Sequence, residues 1–387
     1  MTSSVSILSS LGTHDMSIHP THAVVDLSAL RHNLGVVRDI VGPRVRIMAV
    51  VKSNGYGHGA LAVAREAVSC GVSYLAVARI EEGIELRKGG VGCPVLVFEV
   101  GAETQLEAAL ESDLDLTVSS LRGARMISTI ASRTGKVAKV HVKVDTGMGR
   151  LGFSVEEAIG AIEEIGSLTQ IEMTSVWSHF ATADEEDQSY AKTQLTRFNE
   201  VLGKLDQRSI RIPLRHMANS AGLITMQEAH FDMVRPGIMM YGIAPRKTMA
   251  VSTRLRPVMS VVSTVSFLKD VDAGSGISYG RTFVTRKRTQ IATVPIGYAD
   301  GYFRGLSNKA QVLIRGKRYP VVGTVSMDQI MVEVGAESSV RENDIVTLVG
   351  NDGGEGISYH ELADTLGTIP YEIMCAVSAR VARVVKA

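Results

Sequence analysis

The residue types with the clearest chemical potential lie at positions 47–59, which have the sequence IMAVVKSNGYGHG. Five apolar residues lead directly into Lys52, and serine, asparagine and glycine residues follow it. A continuous apolar run bounded by turn residues predicts a strand buried on both faces. A lysine at the carboxyl end of such a strand is partly desolvated, which lowers its pKa and makes the amine a nucleophile or base. A Schiff-base lysine needs these features, but from the apolar run alone the favoured interpretation is a lysine whose ammonium extends to solvent.

A second group of candidate residues lies at positions 141–153, with the sequence HVKVDTGMGRLGF. Gly147, Gly149 and Gly152 match the G-x-G-x-x-G pattern of dinucleotide-binding loops, between a predicted strand and a predicted helix. That interpretation also needs an acidic residue about twenty positions on. Glu172 is the residue available, and it lies at the wrong end of its strand. Dinucleotide binding is therefore the less favoured interpretation of this loop.

Further polar clusters follow apolar runs later in the chain, in WSHFATAD (177–184), HMANSAG (216–222) and MVRPGIMMYG (233–242). Asn219 and Ser220 precede a helix start, whose free amides and dipole suit a phosphate. His179 at a strand end could equally be a core histidine with satisfied hydrogen bonds.

These clusters would be positioned by an alternation of strands and helices. Strands are predicted at 45–52, 74–78, 94–100, 114–118, 137–144, 171–177, 214–217 and 233–241. Helices are predicted at 60–69, 81–88, 104–111, 121–132, 188–205 and 221–226. One more helix is predicted to begin at a capping box at Ser154. Eight such units predict an α/β fold, a TIM-like (β/α)8 barrel, in which the loops after the strands collect on one face and form the active site.

After position 245 the pattern changes to β-rich runs at 258–267, 290–295, 311–314 and 345–349, separated by glycine-rich turns. One late helix is indicated by a capping box that begins at Ser358. An early strand at 21–27 is expected to join this part, and Ser28 is expected to cap the helix after it. The predicted domains are a strand at 17–27 joining the C-terminal part, a barrel at 28–246 and a mostly β domain at 247–387.

Composition excludes several classes of protein. The 387 residues have a net charge of +1, without the basic clusters of a nucleic-acid-binding protein or an apolar run long enough for a membrane span. The cysteines Cys70, Cys93 and Cys375 have no spacing typical of a metal site or disulfide framework, which favours a reduced, cytoplasmic compartment.

Residues 1–16 are expected to be a disordered extension. Positions 1–15 contain no Lys or Arg and no sustained apolar core for a signal peptide. We hypothesise that Met16 is the natural start.

The motif V-V-K-S-N-G-Y-G-H-G resembles the cofactor-lysine motif of alanine racemases, which are pyridoxal 5′-phosphate (PLP) enzymes on a (β/α)8 barrel. Ser53 and Gly55 stand where more familiar members have alanines. Further family motifs are matched by SGISYGRTF (275–283), PIGYADGY (295–302), GTVSMDQ (323–329) and IPYEIMC (369–375). Ser326 stands where a cysteine is common. The resemblance extends from about position 21 to position 383.

The resemblance implies a two-base mechanism, in which Lys52 binds PLP covalently and takes the proton from D-alanine, while Tyr279 takes it from L-alanine. Inverting Cα requires bases on both faces, which a single lysine cannot easily reach. Tyr279 could otherwise be only a strand aromatic. An unperturbed tyrosine is a poor base at neutral pH, so cationic neighbours must lower its pKa.

The resemblance also implies the cofactor contacts. Arg235 bonds the pyridine nitrogen, which stays unprotonated because arginine does not surrender its proton, so side reactions such as transamination are suppressed. His179 bridges that arginine and the catalytic tyrosine, and Arg150 lies near the PLP phenolic oxygen and the substrate carboxylate. The implied phosphate contacts are Tyr56, Asn219, Ser220, Gly237, Ile238 and Tyr371.

The remaining implied roles concern the substrate and one modified side chain. Tyr298 lines the entrance, the Met327 amide binds the substrate carboxylate, and Asp328 orders that loop. Lys143 is a candidate for carbamylation, which would create a carboxylate that holds Arg150. The alternative for Lys143 is an unmodified lysine paired with an acid.

The resemblance thus predicts an alanine racemase that supplies D-alanine for peptidoglycan, as a homodimer whose active sites are shared across the interface, with no metal. Tyr279, Tyr298 and Met327 would act on the neighbouring subunit's barrel. Alternatives are a serine or broad-specificity racemase of the same fold and, less favoured, a barrel-type PLP decarboxylase or a non-catalytic PLP carrier.

Overall fold

A computed structural model describes residues 19–387 and divides them into two compact units. The barrel unit comprises Ala29–Gly55 and Gly59–Arg256. The β unit comprises the described residues up to Ser28, Tyr56–His58 and Pro257–Ala387. The division therefore falls ten residues after position 246, where the sequence places it. The extension predicted at 1–16 lies outside the described residues, and none of the helices between 19 and 387 could cross a membrane.

The barrel unit contains eight parallel strands in the order β8-β7-β6-β5-β4-β3-β2-β9, which confirms the predicted (β/α)8 architecture. Irregular bonds join β8 to β9, where the Asp232 amide donates to the Arg215 carbonyl at 3.1 Å. The strands are β2 (Arg46–Val50), β3 (Tyr74–Val77), β4 (Val95–Val97), β5 (Asp115–Val118), β6 (Ala138–Lys143), β7 (Ile171–Trp177), β8 (Leu214–His216) and β9 (Met233–Val234).

Eight α-helices accompany these strands, and their bounds lie within a few residues of the predicted ones. Ser154 and Glu157 form the two reciprocal bonds of a capping box one turn before the sixth helix begins. The helices are α1 (Leu27–Val41), α2 (Ala60–Ser69), α3 (Ile80–Lys88), α4 (Glu103–Glu111), α5 (Leu121–Thr134), α6 (Ala158–Ser167), α7 (Ser189–Gln207) and α8 (Ser220–Thr225).

Two local predictions in this part of the chain are wrong. The strand predicted at 233–241 ends at Val234, because Pro236 and Gly237 interrupt it and residues Ile238–Tyr241 form a buried 3-10 turn. Ser28 is not a helix cap, because α1 begins at Leu27; the Ser28 hydroxyl donates to Asp26 at 2.5 Å instead.

The β unit is built on a mixed sheet with strand order β16-β15-β18-β10-β1-β20, and β19 pairs with β18. A three-stranded sheet β11-β14-β17 and a hairpin β12–β13 complete it. The strands are β1 (His22–Asp26), β10 (Met259–Thr264), β11 (Phe267–Val271), β12 (Gly276–Ile277), β13 (Phe283–Val284), β14 (Thr289–Val294), β15 (Gln311–Ile314), β16 (Lys317–Pro320), β17 (Ile330–Glu333), β18 (Ile345–Asp352), β19 (Glu355–Ile357) and β20 (Ala382–Lys386).

Two helices lie near the end of the β unit, α9 (Tyr359–Leu366) and α10 (Pro370–Ala376). The predicted cap of α9 is present, since the Ser358 hydroxyl accepts from the Glu361 amide at 3.1 Å. The sequence analysis identified one late helix and missed α10, although Pro370 in its first turn is a usual helix-start signal.

Candidate active site

Lys52 lies two residues after the end of β2 and opens a turn of unusual handedness. Ser53, Asn54, Gly55 and Tyr56 all have φ between 52° and 61°, the left-handed region that costs energy for residues other than glycine. The Gly55 amide donates to the Val51 carbonyl at 2.8 Å, and the Asn54 side chain accepts from the Ala60 amide at 2.9 Å. These bonds hold the backbone immediately after the lysine in one conformation.

Glu82, at the start of α3, stabilises this turn. Its carboxylate accepts from the Ser53 amide at 2.5 Å and from the amides of Ala78 and Arg79 at 2.8 and 3.1 Å. Bonds from backbone amides to a carboxylate are among the stronger hydrogen bonds in proteins. Glu82 therefore ties the residue after Lys52 to the end of the neighbouring β3, a role that the sequence analysis missed.

Arg235 is buried just after β9, with 2% of its surface exposed. One terminal nitrogen donates to His216 Nδ1 at 2.7 Å. The other donates to the carbonyls of Ser178 and Met217 at 2.8 and 2.9 Å and to His179 Nδ1 at 3.1 Å. Arginine is only a donor, so both histidines accept through Nδ1. The predicted contact between Arg235 and His179 is therefore present in the structure.

Unlike the two terminal nitrogens, the buried Nε–H of Arg235 has no acceptor among residues 19–387. A buried donor without a partner is costly and points to a missing acceptor. Burial, reinforced by the Arg150 guanidinium, lowers the pKa of Arg235 to about 9, which leaves it protonated at neutral pH. The site thus fits a neutral aromatic nitrogen, such as the ring nitrogen of PLP.

The two histidines beside Arg235 are neutral for a physical reason. Burial first, and the Arg235 charge second, hold the pKa of both His179 and His216 well below the usual histidine range. A neutral His179 that accepts at Nδ1 must have its proton on Nε2. It can therefore donate on the side away from Arg235.

Lys143 ends β6 and lies in the same cationic region. Its Nζ donates to the Val144 carbonyl at 2.9 Å and lies 5.0 Å from the centre of the Trp177 ring. Burial, and then the Arg235 charge, lower its pKa to about 7. No carboxylate lies within 4.0 Å of this nitrogen in the described chain, which includes every acid from Asp26 onward. A large fraction of Lys143 is therefore a free amine at neutral pH.

Arg150 lies on the loop between β6 and α6. Asp145 accepts from the amides of Gly147, Met148 and Gly149 at 2.8 to 3.2 Å. Burial alone would raise the pKa of Asp145, but these amide bonds outweigh it and the pKa is lowered. The glycines do not open a helix, because α6 begins only at Ala158. The structural context of a dinucleotide-binding motif is therefore absent here.

Four of the implied phosphate contacts meet beside α8. Asn219 caps this helix by accepting from the Gly222 amide at 2.9 Å. The Ser220 hydroxyl accepts from the Gly237 amide at 2.8 Å, and Ile238 begins the 3-10 turn that follows. Ser220 is 4% exposed and Ile238 fully buried. The four residues form one compact polar corner at the carboxyl end of β8 and β9.

The other two implied phosphate contacts, Tyr56 and Tyr371, lie together in the β unit. Their ring centres are 6.1 Å apart. Burial, and then the neighbouring Tyr371, raise the pKa of Tyr56 far above its usual value, so its phenol stays protonated and can donate.

Tyr279 lies on a strained turn in the β unit and is 72% exposed. Ser278, Gly280 and Arg281 have φ of 61°, 72° and 47°. The Ser278 hydroxyl donates to the Thr324 carbonyl at 2.6 Å, and the Thr324 hydroxyl donates to the Tyr279 carbonyl at 2.8 Å. Strained backbone held by specific bonds is typical of functional residues.

Tyr298 and Met327 lie on adjoining loops in the same unit. The Tyr298 amide donates to the Ser326 carbonyl at 3.1 Å, and a Cβ at Gly297 would lie 2.2 Å from the Met327 oxygen. Tyr298 is 43% exposed and Met327 52% exposed. Asp328 pairs with Arg380 at 2.8 Å, as a residue that orders this loop would.

Comparison with known proteins decides the family. Residues 25–245 match the model of the alanine racemase N-terminal domain, and residues 258–385 match that of the alanine racemase C-terminal domain. The chain belongs to the alanine racemase family.

Individual alanine racemases are similar over nearly the whole chain. "Alanine racemase 2" of Caldanaerobacter subterraneus subsp. tengcongensis is 44% identical over 95% of both chains. The solved alanine racemase of Clostridium difficile has a TM-score of 0.91 and 39% identity, covering 96% of this chain and 97% of that one. The alanine racemase of Bartonella henselae, solved with covalently bound pyridoxal phosphate, has a TM-score of 0.85 and 29% identity, covering 95% of this chain and 99% of that one.

The sequence analysis missed several residues of this candidate site. The ring centre of Trp177 lies 4.9 Å from the guanidinium carbon of Arg235. The same ring stacks on His216. Both residues end barrel strands, and that position was a usable signal. Glu82 offered the weaker signal of an acid in the first turn of a helix.

Proposed function

We propose that this enzyme interconverts L-alanine and D-alanine with pyridoxal 5′-phosphate as its cofactor. The observation that supports this most directly is the buried Arg235, whose Nε–H has no acceptor among residues 19–387 while both of its terminal nitrogens are engaged. Pyridoxal 5′-phosphate, when bound, supplies an electron-withdrawing ring that stabilises the negative charge left at Cα. An arginine opposite the ring nitrogen limits that stabilisation, which suits an enzyme that only moves one proton.

We infer the following roles for the binding residues. Lys52 holds the cofactor covalently, and Ser220, Asn219 and the amides of Gly237 and Ile238 hold its phosphate. The Gly237 amide already donates to the Ser220 hydroxyl, so that hydroxyl is oriented with its own hydrogen free to donate. Tyr56 and Tyr371 complete the phosphate contacts, and the high pKa of Tyr56 suits a donor to an anion.

Inversion at Cα needs one base on each face of the substrate. The Lys52 amine serves the face from which D-alanine loses its proton, and the Tyr279 phenol serves the opposite face. His179 carries a proton on Nε2 and is fixed by Arg235, so it can donate to the tyrosine oxygen and stabilise its anionic form. Arg150 and the Met327 amide bind the substrate carboxylate, and Tyr298 lines the entrance.

We propose that Lys143 is carbamylated. A buried amine with a pKa of about 7 is available as the free base, which is the form that reacts with carbon dioxide and releases one proton. The product carries a negative charge between the Arg235 and Arg150 guanidinium groups, where an anion is favoured. An intact-protein mass higher by one carbon dioxide, lost in Lys143→Met but kept in Lys139→Met, would support this modification.

The active enzyme is proposed to be a homodimer whose sites are shared. Tyr279, Tyr298 and Met327 are large side chains that are 43% to 72% exposed in a single chain. Bases and specificity residues work best when water is excluded, so a second surface must cover them. A twofold dimer in which each β unit serves the partner's barrel satisfies that need.

Mixing two inactive variants tests the shared site directly. Lys52→Ala and Tyr279→Phe homodimers should each lack racemase activity. After subunit exchange, a mixed dimer with shared sites has one site with both lesions and one intact site, so up to about a quarter of the activity returns. Sites contained within one chain would give no recovery, and that result would refute the shared arrangement. Tyr279→Phe should retain the absorbance of the bound cofactor, which Lys52→Ala loses.

Substrate choice is tested by incubating the holoenzyme with a panel of L-amino acids and separating the products on a chiral column. Rapid formation of D-alanine from L-alanine, with much slower serine turnover, is expected. Comparable rates for serine would favour the broad-specificity racemase. Release of carbon dioxide without inversion would indicate a decarboxylase, and an unchanged amino acid a non-catalytic carrier.

A further inference from the structure

Four hydrogen bonds connect the buried arginine to a carboxylate deep in the barrel. Arg235 donates to His216 Nδ1 at 2.7 Å, and His216 Nε2 bonds to the Ser175 hydroxyl at 2.9 Å. That hydroxyl bonds to His141 Nδ1 at 2.6 Å, and His141 Nε2 bonds to the Asp115 carboxylate at 3.0 Å. We call these five residues the relay.

The relay is built by the barrel itself. Its members come from β5, β6, β7 and β8 and from the residue after β9, which are neighbours in the strand order. None of the five is more than 2% exposed. Asp115 is the first residue of β5, whereas Arg235 follows the end of β9, so the relay runs from one end of the strands towards the other.

Every proton in the relay has one consistent position. Arginine can only donate, so His216 accepts at Nδ1 and donates from Nε2 to Ser175. The Ser175 hydroxyl then donates to His141 Nδ1, and His141 donates from Nε2 to Asp115, whose carboxylate can only accept. The two ends therefore impose the same direction, and no member is left with two donors or two acceptors facing each other.

The relay also connects the positive charge of Arg235 to a carboxylate. No carboxylate lies within 4.0 Å of Arg235 in the part of the chain from position 19 to 387. A buried charge needs compensation. Asp115 is the carboxylate to which Arg235 is connected through hydrogen bonds, and polarisation along such a chain strengthens each bond in it.

A purely structural role would be to satisfy polar groups in the barrel interior. That role explains why the five residues bond to one another, but an apolar interior would fill the same space without burying two charges. The relay ends on Arg235, whose buried Nε–H has no acceptor among residues 19–387. Its endpoint therefore points to a function at the ring nitrogen.

We propose that Asp115, His141 and Ser175 are positioning residues, which hold the Arg235 guanidinium through His216 so that its Nε–H faces the ring nitrogen of the cofactor. This inference rests on the proposed function, because it concerns the bound pyridoxal 5′-phosphate. The relay keeps that nitrogen bonded to a donor that does not transfer its proton. It thereby protects reaction specificity rather than cofactor affinity.

The test uses Ser175→Ala, which removes one oxygen and breaks the two central bonds of the relay. Thr117→Val is the matched control, because Thr117 is also a buried barrel hydroxyl but donates to the Val97 carbonyl outside the relay. Asp115→Asn keeps an acceptor for His141 and removes only the charge. Thermal unfolding of each variant checks the fold, and Ser175→Ala decides alone if Asp115→Asn does not fold.

The first measurement needs no cofactor. Downfield proton resonances of the His216 and His141 Nε2–H groups, identified with ¹⁵N-labelled histidine, are expected in the wild type and in Thr117→Val. In Ser175→Ala both resonances should move or disappear. Unchanged histidine resonances in Ser175→Ala would overturn the relay itself.

The second measurement follows the transamination side reaction of the holoenzyme. In that reaction the amino group of alanine passes to the cofactor and one water is consumed, giving pyridoxamine 5′-phosphate and pyruvate and freeing the Lys52 amine. The number of such events per racemisation should rise on the order of tenfold in Ser175→Ala, which corresponds to about 1.4 kcal/mol, the value of one hydrogen bond. Asp115→Asn should show a smaller rise and Thr117→Val none.

The outcomes separate the two proposals. Equal transamination in Ser175→Ala and Thr117→Val, with normal racemisation in both, would overturn the positioning role and leave the proposed function intact. A wild-type protein that takes up no pyridoxal 5′-phosphate would refute the proposed function and, with it, the positioning role. The histidine resonances would then still decide whether the relay exists.

Discussion

The indole of Trp177 stacks on the imidazole of His216, with ring centres 5.5 Å apart and planes inclined by 12°. Trp177 is the only tryptophan in the chain, and its ring centre lies 4.9 Å from the guanidinium carbon of Arg235. The single indole therefore lies beside the proposed position of the cofactor ring.

This arrangement predicts that pyridoxal 5′-phosphate quenches the tryptophan fluorescence as it binds. A fluorescence titration should follow the same curve as the visible absorbance of the bound cofactor, with one site per chain. Trp177→Phe should abolish the emission change and retain the absorbance. Full emission at saturating cofactor would mean that the cofactor binds away from Arg235.

The hydrogen bond from Thr324 to the Tyr279 carbonyl predicts that Thr324→Val slows racemisation. Loss of a bond worth about 1 kcal/mol should loosen the strained turn and lower kcat several-fold, with little change in KM. Thr289→Val is the control, because the buried Thr289 hydroxyl has no partner among the described residues. That variant should be as active as the wild type and no less stable. Equal kcat values for both variants would contradict a role for the Thr324 bond.

The Glu82 carboxylate predicts a loss of cofactor affinity in Glu82→Ala. The variant leaves the amides of Ser53, Ala78 and Arg79 without their acceptor, at a cost of roughly 1–3 kcal/mol. The turn after Lys52 should become mobile, and the dissociation constant for pyridoxal 5′-phosphate should rise about tenfold. Glu85→Ala alters an exposed acid on the same helix, so it should bind as the wild type does. Identical affinities for the two variants would exclude a role for Glu82 in holding the turn after Lys52.

The depressed pKa of Lys143 predicts how stability depends on pH in buffer free of carbon dioxide. Between pH 7 and about 10.5 the unfolded chain binds one more proton at this residue than the folded chain, so stability rises with pH across that window. Below pH 7 both states are protonated and the full penalty applies. Lys143→Met removes the penalty, so its stability advantage over the wild type should be largest at or below pH 7 and shrink towards pH 10.5.

Urea unfolding at several pH values measures this difference. Lys139→Met, on the same strand but at a partly exposed position, is the control because it lacks the burial that causes the effect. A stability difference between the wild type and Lys143→Met that stays constant from pH 7 to 10.5 would contradict the assignment.

Much of the fold could be predicted from local patterns. The bounds of α2, β7 and β15 agree with the sequence analysis to the residue, because each is an apolar or amphipathic run ended by turn residues. The strand predicted at 233–241 failed because residues Ile238–Tyr241 are apolar through burial in a 3-10 turn, and a run of buried residues has no period that identifies its backbone.

Residues of the candidate site could be proposed from the sequence only where they stand in a motif. Lys52 and Arg235 each stand in a short recognisable segment at a strand end. Glu82 escaped because its contact with Ser53 joins positions 29 residues apart. The relay escaped for the same reason, since Asp115, His141 and Ser175 become neighbours only when the barrel closes. No spacing along the chain encodes those distances.

The pairing of the first strand with the last has a consequence for synthesis of the protein. β1 lies between β10 and β20, and the pairing of His22 with Ala382 joins residues 360 positions apart. During translation β1 is made before the barrel, and it stays unpaired until β10 and β20 have been made. The complete barrel can emerge and fold in the meantime. A ribosome stalled once position 256 has left its exit tunnel would therefore display a folded barrel together with an unpaired, apolar strand. Such nascent chains are natural clients for a chaperone that binds extended segments.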